Sequence, residues 1–202
     1  AFLADKPANN VLLYGARGTG KSSSVKALLN KYRRRGLRLV EISRSQLEEL
    51  PALLEKLKDR GLYFIIFLDD LSFADFETEY KQIKAILEGR AEAKPDNILF
   101  YATSNRRHLI KETWRERSDE QGEVHPGDAR EEKFSLADRF GLTINYISPD
   151  QQEYLQIVRE LADKRGIDLN SEKLEAKAKQ WALQYNGHSG RTAQQFINHL
   201  LN

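Results

Sequence analysis

Apolar residues arrive along this chain in two kinds of run, and the two kinds alternate. Val11-Leu12-Leu13-Tyr14 is short and continuous, bounded by Asn9-Asn10 and Gly15, which is the signature of a buried strand. Over residues 21–35 the apolar positions Val25, Leu28, Leu29 and Tyr32 fall at helical spacing, and Gly36 is placed to stop the helix. A strand at 38–42 follows, then a helix over 46–60 carrying Leu50, Leu53, Leu54 and Leu57. The run 63–68 reads as another buried strand and ends in Asp69-Asp70. A third helix presents Phe76, Tyr80, Ile83 and Leu87 on one face, and strands at 98–102 and 142–147 close the series. Strands separated by helices need crossover connections, so the pattern predicts an α/β fold: a five-stranded parallel sheet with helices on both faces.

After residue 147 the period is helical only. Ser148-Pro149-Asp150-Gln151 predicts a helix start in which Ser148 caps, Pro149 occupies the first turn and Gln151 completes a capping box. Three helices fit the remainder, with apolar faces Tyr154, Ile157, Val158 and Leu161, then Leu174, Ala178, Trp181 and Tyr185, then Phe196, Ile197 and Leu200. Gly166 and Gly187 mark the ends of the first two. The expected organisation is an α/β domain at 1–147 and a small helical domain at 148–202. Residues 111–133 interrupt the first, with eight acidic and five basic side chains broken by Gly122, Pro126 and Gly127. A segment of that kind is a solvated loop or one that touches a partner or substrate.

Composition acts mainly by exclusion. The 202 residues are 31% charged, above the usual quarter, which predicts a densely charged surface. No apolar run nears the roughly 18 residues of a membrane span, and Ala1-Phe2-Leu3-Ala4-Asp5 lacks the regions of a signal peptide, so a cytoplasmic protein without a membrane partner is expected. Zero cysteines remove disulfides, thiolate catalysis and Cys-ligated zinc, and His108, His125, His188 and His199 make no metal-binding spacing. A start at Ala1 with no Met anywhere reads as a processed fragment or an engineered sequence. Lys and Arg number 32 against 30 for Asp and Glu, so net charge does not mark a nucleic-acid binder. Lys31-Tyr32-Arg33-Arg34-Arg35-Gly36-Leu37-Arg38 is locally basic and could meet nucleic-acid phosphates. Cations at a helix C-terminus are favoured by the macrodipole, however, and a solvated face is the commoner reason for such a run.

The chemistry is concentrated in Gly15-Ala16-Arg17-Gly18-Thr19-Gly20-Lys21-Ser22, which fits the P-loop pattern G-x-x-x-x-G-K-[ST] and stands between a strand and a helix, as it must. The glycines let backbone N–H groups wrap phosphates, the helix N-terminus adds its positive end, Lys21 reaches the β and γ phosphates and Ser22 can ligate Mg²⁺. Phe64-Ile65-Ile66-Phe67-Leu68-Asp69-Asp70 is a Walker B pattern: Asp69 is the expected second metal ligand and Asp70 the group that orients or deprotonates water. At the end of the fourth strand, Thr103 and Asn105 are placed beside the phosphates, where Asn105 can bond the γ-phosphate or the attacking water.

Together with Ser135-Leu136-Ala137-Asp138-Arg139-Phe140-Gly141 and the helical C-terminus, these motifs resemble the AAA+ ATPases over nearly the whole chain. More narrowly, 13–23 with its Ser22-Ser23, Asp69-Asp70-Leu71-Ser72-Phe73 and Tyr101-Ala102-Thr103-Ser104-Asn105-Arg106-Arg107-His108-Leu109 resemble an uncharacterised bacterial AAA+ family, domain of unknown function 815. The resemblance implies strand order 5-1-4-3-2, a helical lid, and ATP bound between subunits of a homo-oligomer, a ring or a filament. It also implies Asn105 as sensor 1, Arg139 as an arginine finger acting in trans, and Arg191 in Ser189-Gly190-Arg191-Thr192 as sensor 2.

The expectation is an ATPase that binds ATP and Mg²⁺, hydrolyses ATP to ADP and phosphate, and drives conformational change in an unknown protein partner. Phosphates would be held by Gly15, Ala16, Arg17, Gly18, Thr19, Gly20, Lys21, Ser22, Ser23 and Arg191. Asp70 where most such enzymes have Glu gives a shorter reach, which favours a rival: an ATP-dependent switch with negligible turnover. A small-acceptor kinase and a DNA-associated ATPase are the further alternatives.

Overall fold

The computed structural model describes residues 1–71, 83–87, 95–105, 139–185 and 187–201. The chain divides into two compact units: Ala1–Tyr14 with Ser22–Asn145, and Gly15–Lys21 with Tyr146–Asn202.

Five strands, β1 (Val11–Gly15), β2 (Leu37–Ile42), β3 (Tyr63–Leu68), β4 (Ile98–Ser104) and β5 (Leu142–Tyr146), form one parallel sheet in the order β2-β3-β4-β1-β5. This is the expected order read from the opposite edge. The pairing Leu68↔Ala102 sets β3 against β4, and Leu13↔Thr103 sets β1 against β4. β3 is buried from Phe64 to Leu68, which is why its sequence is apolar without alternation: both faces of a central parallel strand are covered. Among the described residues β5 has only β1 beside it, and it leaves Leu142 and Ile144 exposed.

One face of the sheet packs Leu12, Ile66, Ile98 and Phe100 against Leu47, Leu50 and Leu54 and against Ile83 and Ile86 of the helical stretch 83–87. Each such side chain removed from water contributes about 1.5–3 kcal/mol. The helix expected at 46–60 begins later and ends sooner: Arg44–Glu49 is a 3-10 turn, and α2 runs from Leu50 to Leu57. Pro51 explains the start, since a residue without N–H fits the first helical turn and breaks an interior one. Helix α1 (Lys21–Tyr32) likewise yields to a 3-10 turn at Arg33–Arg35 before Gly36, at φ +87°, reverses the chain. Phe76, Tyr80 and the charged stretch 111–133 lie outside the described residues.

In the second unit α3 (Gln151–Arg165), α4 (Ser171–Gln184) and α5 (Gly190–Leu200) enclose Tyr154, Val158, Ala178, Ala182, Phe196 and Ile197. Asp150, not Ser148, caps α3. Its Oδ1 accepts the Glu153 N–H at 2.8 Å, and Glu153 Oε2 accepts the Asp150 N–H at 3.0 Å. A carboxylate three residues before Glu153 satisfies two helix-end donors reciprocally, which Ser148 and Gln151 cannot do in that register. Tyr185 is exposed rather than part of the core, and stacks on Trp181 with centroids 4.1 Å apart. Among the described residues no helix is long and apolar enough to cross a membrane.

Candidate functional site

The loop between β1 and α1 takes its shape from Gly15, Gly18 and Gly20, at φ +128°, +74° and +97°. Such angles are closed to most side chains. A Cβ on Gly15 would lie 2.1 Å from the Tyr146 carbonyl oxygen, which instead accepts the Ala16 N–H at 2.9 Å. Glycine is therefore required for two backbones to touch. At Gly18 a Cβ would come within 2.9 Å of Ser189 Oγ and 3.0 Å of Arg191 Cβ, while the Gly18 carbonyl accepts the Arg191 N–H at 3.1 Å. The first turn of α5, capped by Ser189 Oγ accepting from Thr192 N–H, is thus laid against the loop and brings exposed Arg191 to it.

Two side chains fix the loop internally. Thr19 Oγ1 donates to the Ala16 carbonyl at 2.8 Å, and Lys21 Nζ donates to the carbonyls of Ala16 at 2.7 Å and Gly15 at 3.1 Å. Lys21 is only 5% exposed, so its ammonium is a cation held among backbone groups at the start of a helix. Arg17 and Ser23 face solvent.

The carboxylate end of the sheet is built by register. Because Leu68 pairs with Ala102, Asp69, the first residue after β3, comes to lie beside Thr103, which is still in β4. Thr103 Oγ1 donates to Asp69 Oδ1 at 2.5 Å and accepts the Asp70 N–H at 2.9 Å, and the Thr103 carbonyl accepts the Leu71 N–H at 2.7 Å. Ser22 Oγ donates to the same Asp69 oxygen at 2.7 Å. Asp70 sits at φ +55°, a left-handed conformation that costs a non-glycine residue about 1 kcal/mol or more, and Asn105 Nδ2 donates to its Oδ1 at 2.5 Å. Ser22 joins Asp69, and Asn105 joins Asp70. Arg139 is exposed in the turn ahead of β5.

Thr103 is the candidate site residue whose bonds the sequence does not disclose. Its strand end predicts a place beside the phosphates; in the structure its hydroxyl bonds the Asp69 carboxylate and the Asp70 amide. The signal was a hydroxyl one residue beyond the β3–β4 pairing, legible only with the register known. Ser22 and Asp69 are hard oxygen donors 2.7 Å apart, the chemistry Mg²⁺ prefers when phosphates and water complete its shell. Among the described residues no three His, Cys, Asp or Glu side chains converge as an all-protein metal cage, which such a shared shell does not require.

The model of the family described as "Protein of unknown function (DUF815)" matches residues 1–202. The chain belongs to that family. This DUF815 chain has the AAA+ P-loop ATPase fold. A Thermotoga maritima RuvB P216G mutant matches with TM-score 0.67 at 15% identity, over 100% of this chain and 57% of that one. The FIGL-1 AAA domain in complex with ADP matches with TM-score 0.60 at 22% identity, over 95% of this chain and 60% of that one. A Thermotoga maritima RuvB described as a Holliday junction branch migration motor matches with TM-score 0.57 at 12% identity, over 99% of this chain and 64% of that one. The DUF815 chain thus spans about three-fifths of those structures. No curated protein matches it.

Proposed function

We propose that this DUF815 chain is an AAA+-type ATPase that binds MgATP and hydrolyses it to ADP and phosphate to drive a conformational change in a partner protein. The observation that supports this best is the hydrogen-bonded set Ser22, Asp69 and Thr103, which places the P-loop hydroxyl and the strand-end carboxylate together. Gly15 to Ser22, with Ser23 following, wrap the phosphates with N–H groups; Lys21 supplies the positive charge at the β and γ phosphates. Ser22 and Asp69 hold Mg²⁺, which neutralises phosphate charge when bound. Asp70 accepts a proton from water as its oxygen bonds to the γ-phosphorus and the bond to the β-phosphate oxygen breaks, leaving ADP. Asn105 orients that water, Arg191 and Arg139 stabilise the developing charge, and Arg139 acts in trans within a homo-oligomer of a cytoplasmic protein. The helices α3 to α5 act as a lid, with the domain boundary at 147.

The test is ATP hydrolysis per chain over a wide range of protein concentration, with Mg²⁺ and nucleotide binding recorded in the same samples. A specific rate that climbs with concentration supports assembly with Arg139 in trans. Lys21→Ala is expected to lose roughly a hundredfold in MgATP affinity; unchanged affinity overturns the phosphate-loop assignment. One observation favours a second reading. Asn105 already holds the short Asp70 carboxylate, as suits a nucleotide-dependent switch, for which MgATP binds and turnover is negligible at every concentration.

A further inference from the structure

The basic run around residue 35 borders a cavity unrelated to the phosphate loop. It occupies about 240 Å³ on the sheet face opposite the Leu12–Ile66–Phe100 core. Ile65, Leu99 and Tyr101 form its floor, Leu28 and Tyr32 of α1 one wall, and Phe2 with its 3-10 turn another. That turn is pinned by Phe2 packed edge-on to Tyr63, with centroids 5.3 Å apart, and by the Tyr63 hydroxyl donating to Asp5 Oδ1 at 2.8 Å.

Polar side chains share the lining with these apolar ones, Tyr101 and Arg35 among them. The Tyr101 hydroxyl has no hydrogen-bond partner among the described residues, and burial pushes its pKa up, so it stays a neutral donor well into the alkaline range. The Arg35 guanidinium also lines the cavity and leans on the Tyr32 ring at 5.9 Å; among the described residues it pairs with no carboxylate. Lys31, Arg33, Arg34 and Arg38 surround it in sequence with no acidic residue among them. A chamber with Ile65 and Leu99 in its floor, and the Arg35 guanidinium and the Tyr101 hydroxyl in its lining, matches a ligand with an apolar body and a single carboxylate.

We propose that this cavity is a binding site for a small amphiphilic carboxylate, its chain or ring on Ile65 and Leu99 and its carboxylate on Arg35 and the Tyr101 hydroxyl. Charge complementarity selects the anion: a neutral molecule of the same shape leaves Arg35 unused, and acetate fills none of the apolar volume. The site is independent of the nucleotide reading.

Calorimetric titration of the whole chain with octanoate, 1-octanol and acetate tests it. Octanoate binds saturably, 1-octanol roughly tenfold or more weakly, and acetate without saturation. Arg35 is exposed, so Arg35→Gln retains the fold; it weakens octanoate about tenfold and leaves 1-octanol unchanged. Tyr101→Phe weakens octanoate several-fold in the same selective way. Leu28→Trp, which fills the chamber, abolishes both, with an unaltered melting temperature as its control. Absence of saturable octanoate binding, equal affinity for octanoate and 1-octanol, or an Arg35→Gln variant that binds as the parent does overturns the proposal. Displacement of octanoate by MgATP would overturn it too, by moving the ligand to the phosphate loop.

Discussion

The glycine-rich loop after β1 and the acidic strand ends are made by opposite means. Gly15, Gly18 and Gly20 shape the loop through positive backbone angles, and Gly15 also through close approach to the Tyr146 backbone, where a methyl group is enough to spoil it. Asp69 and Asp70 are instead held by side chains: Thr103 and Ser22 on the first acid, Asn105 on the second, and the Thr103 hydroxyl on the amide between them. A backbone-made site fails through stability. A side-chain-made site fails through chemistry, with the fold left standing.

The sharpest way to break that distinction is Asp70→Asn. If the acid end serves chemistry, turnover falls roughly a thousandfold while MgATP affinity is kept, measured by hydrolysis and by nucleotide titration. Normal turnover would remove Asp70 from catalysis. Gly15→Ala should act the other way, costing about 3 kcal/mol in urea unfolding because a strained φ is combined with a collision against the Tyr146 carbonyl. An unfolding curve superimposable on the parent's would show that the loop's backbone does not need glycine.

Thr103→Val keeps the shape and removes the hydroxyl, leaving Asp69 without one donor and the Asp70 amide without its acceptor. Expected are a stability loss of about 1–2 kcal/mol and a higher Mg²⁺ requirement for any hydrolysis, with Thr103→Ser restoring both. The smallest effect concerns the helical unit. Burial raises the Tyr154 pKa to about 12 against 10.0 for an unperturbed tyrosine. The unfolded chain therefore loses this proton first, and stability holds below pH 10 and falls as pH rises toward 12, by about 1 kcal/mol or more. Tyr154→Phe should flatten that decline in a pH series of melting curves; an unchanged slope would remove Tyr154 as its source.

The glycine-rich loop was legible because its pattern is encoded by neighbours in sequence. The P-loop needs a glycine pattern, a lysine and a hydroxyl within eight consecutive positions, and its strand and helix flank it directly. Helix ends were read less well. Ser148 looked like a cap until Asp150 and Glu153 took that place, because capping depends on the residue at which helical angles begin. Pro51 moved the start of α2 for a reason visible in the sequence, which the strong leucine spacing from Leu50 to Leu57 obscured.

By itself the amino-acid sequence determined the alternation of strands and helices, the five strands, the glycine-rich loop after β1 and the strand ending in two acids, because period and steric demand act over a few residues. Tertiary structure alone decided that Thr103 clamps Asp69 and Asp70, that Asn105 engages Asp70, and that Arg191 arrives at Gly18. It alone also placed Tyr101 and Arg35 in one chamber. Each of these joins residues more than thirty positions apart, and a contact at that range is set by strand register and helix packing.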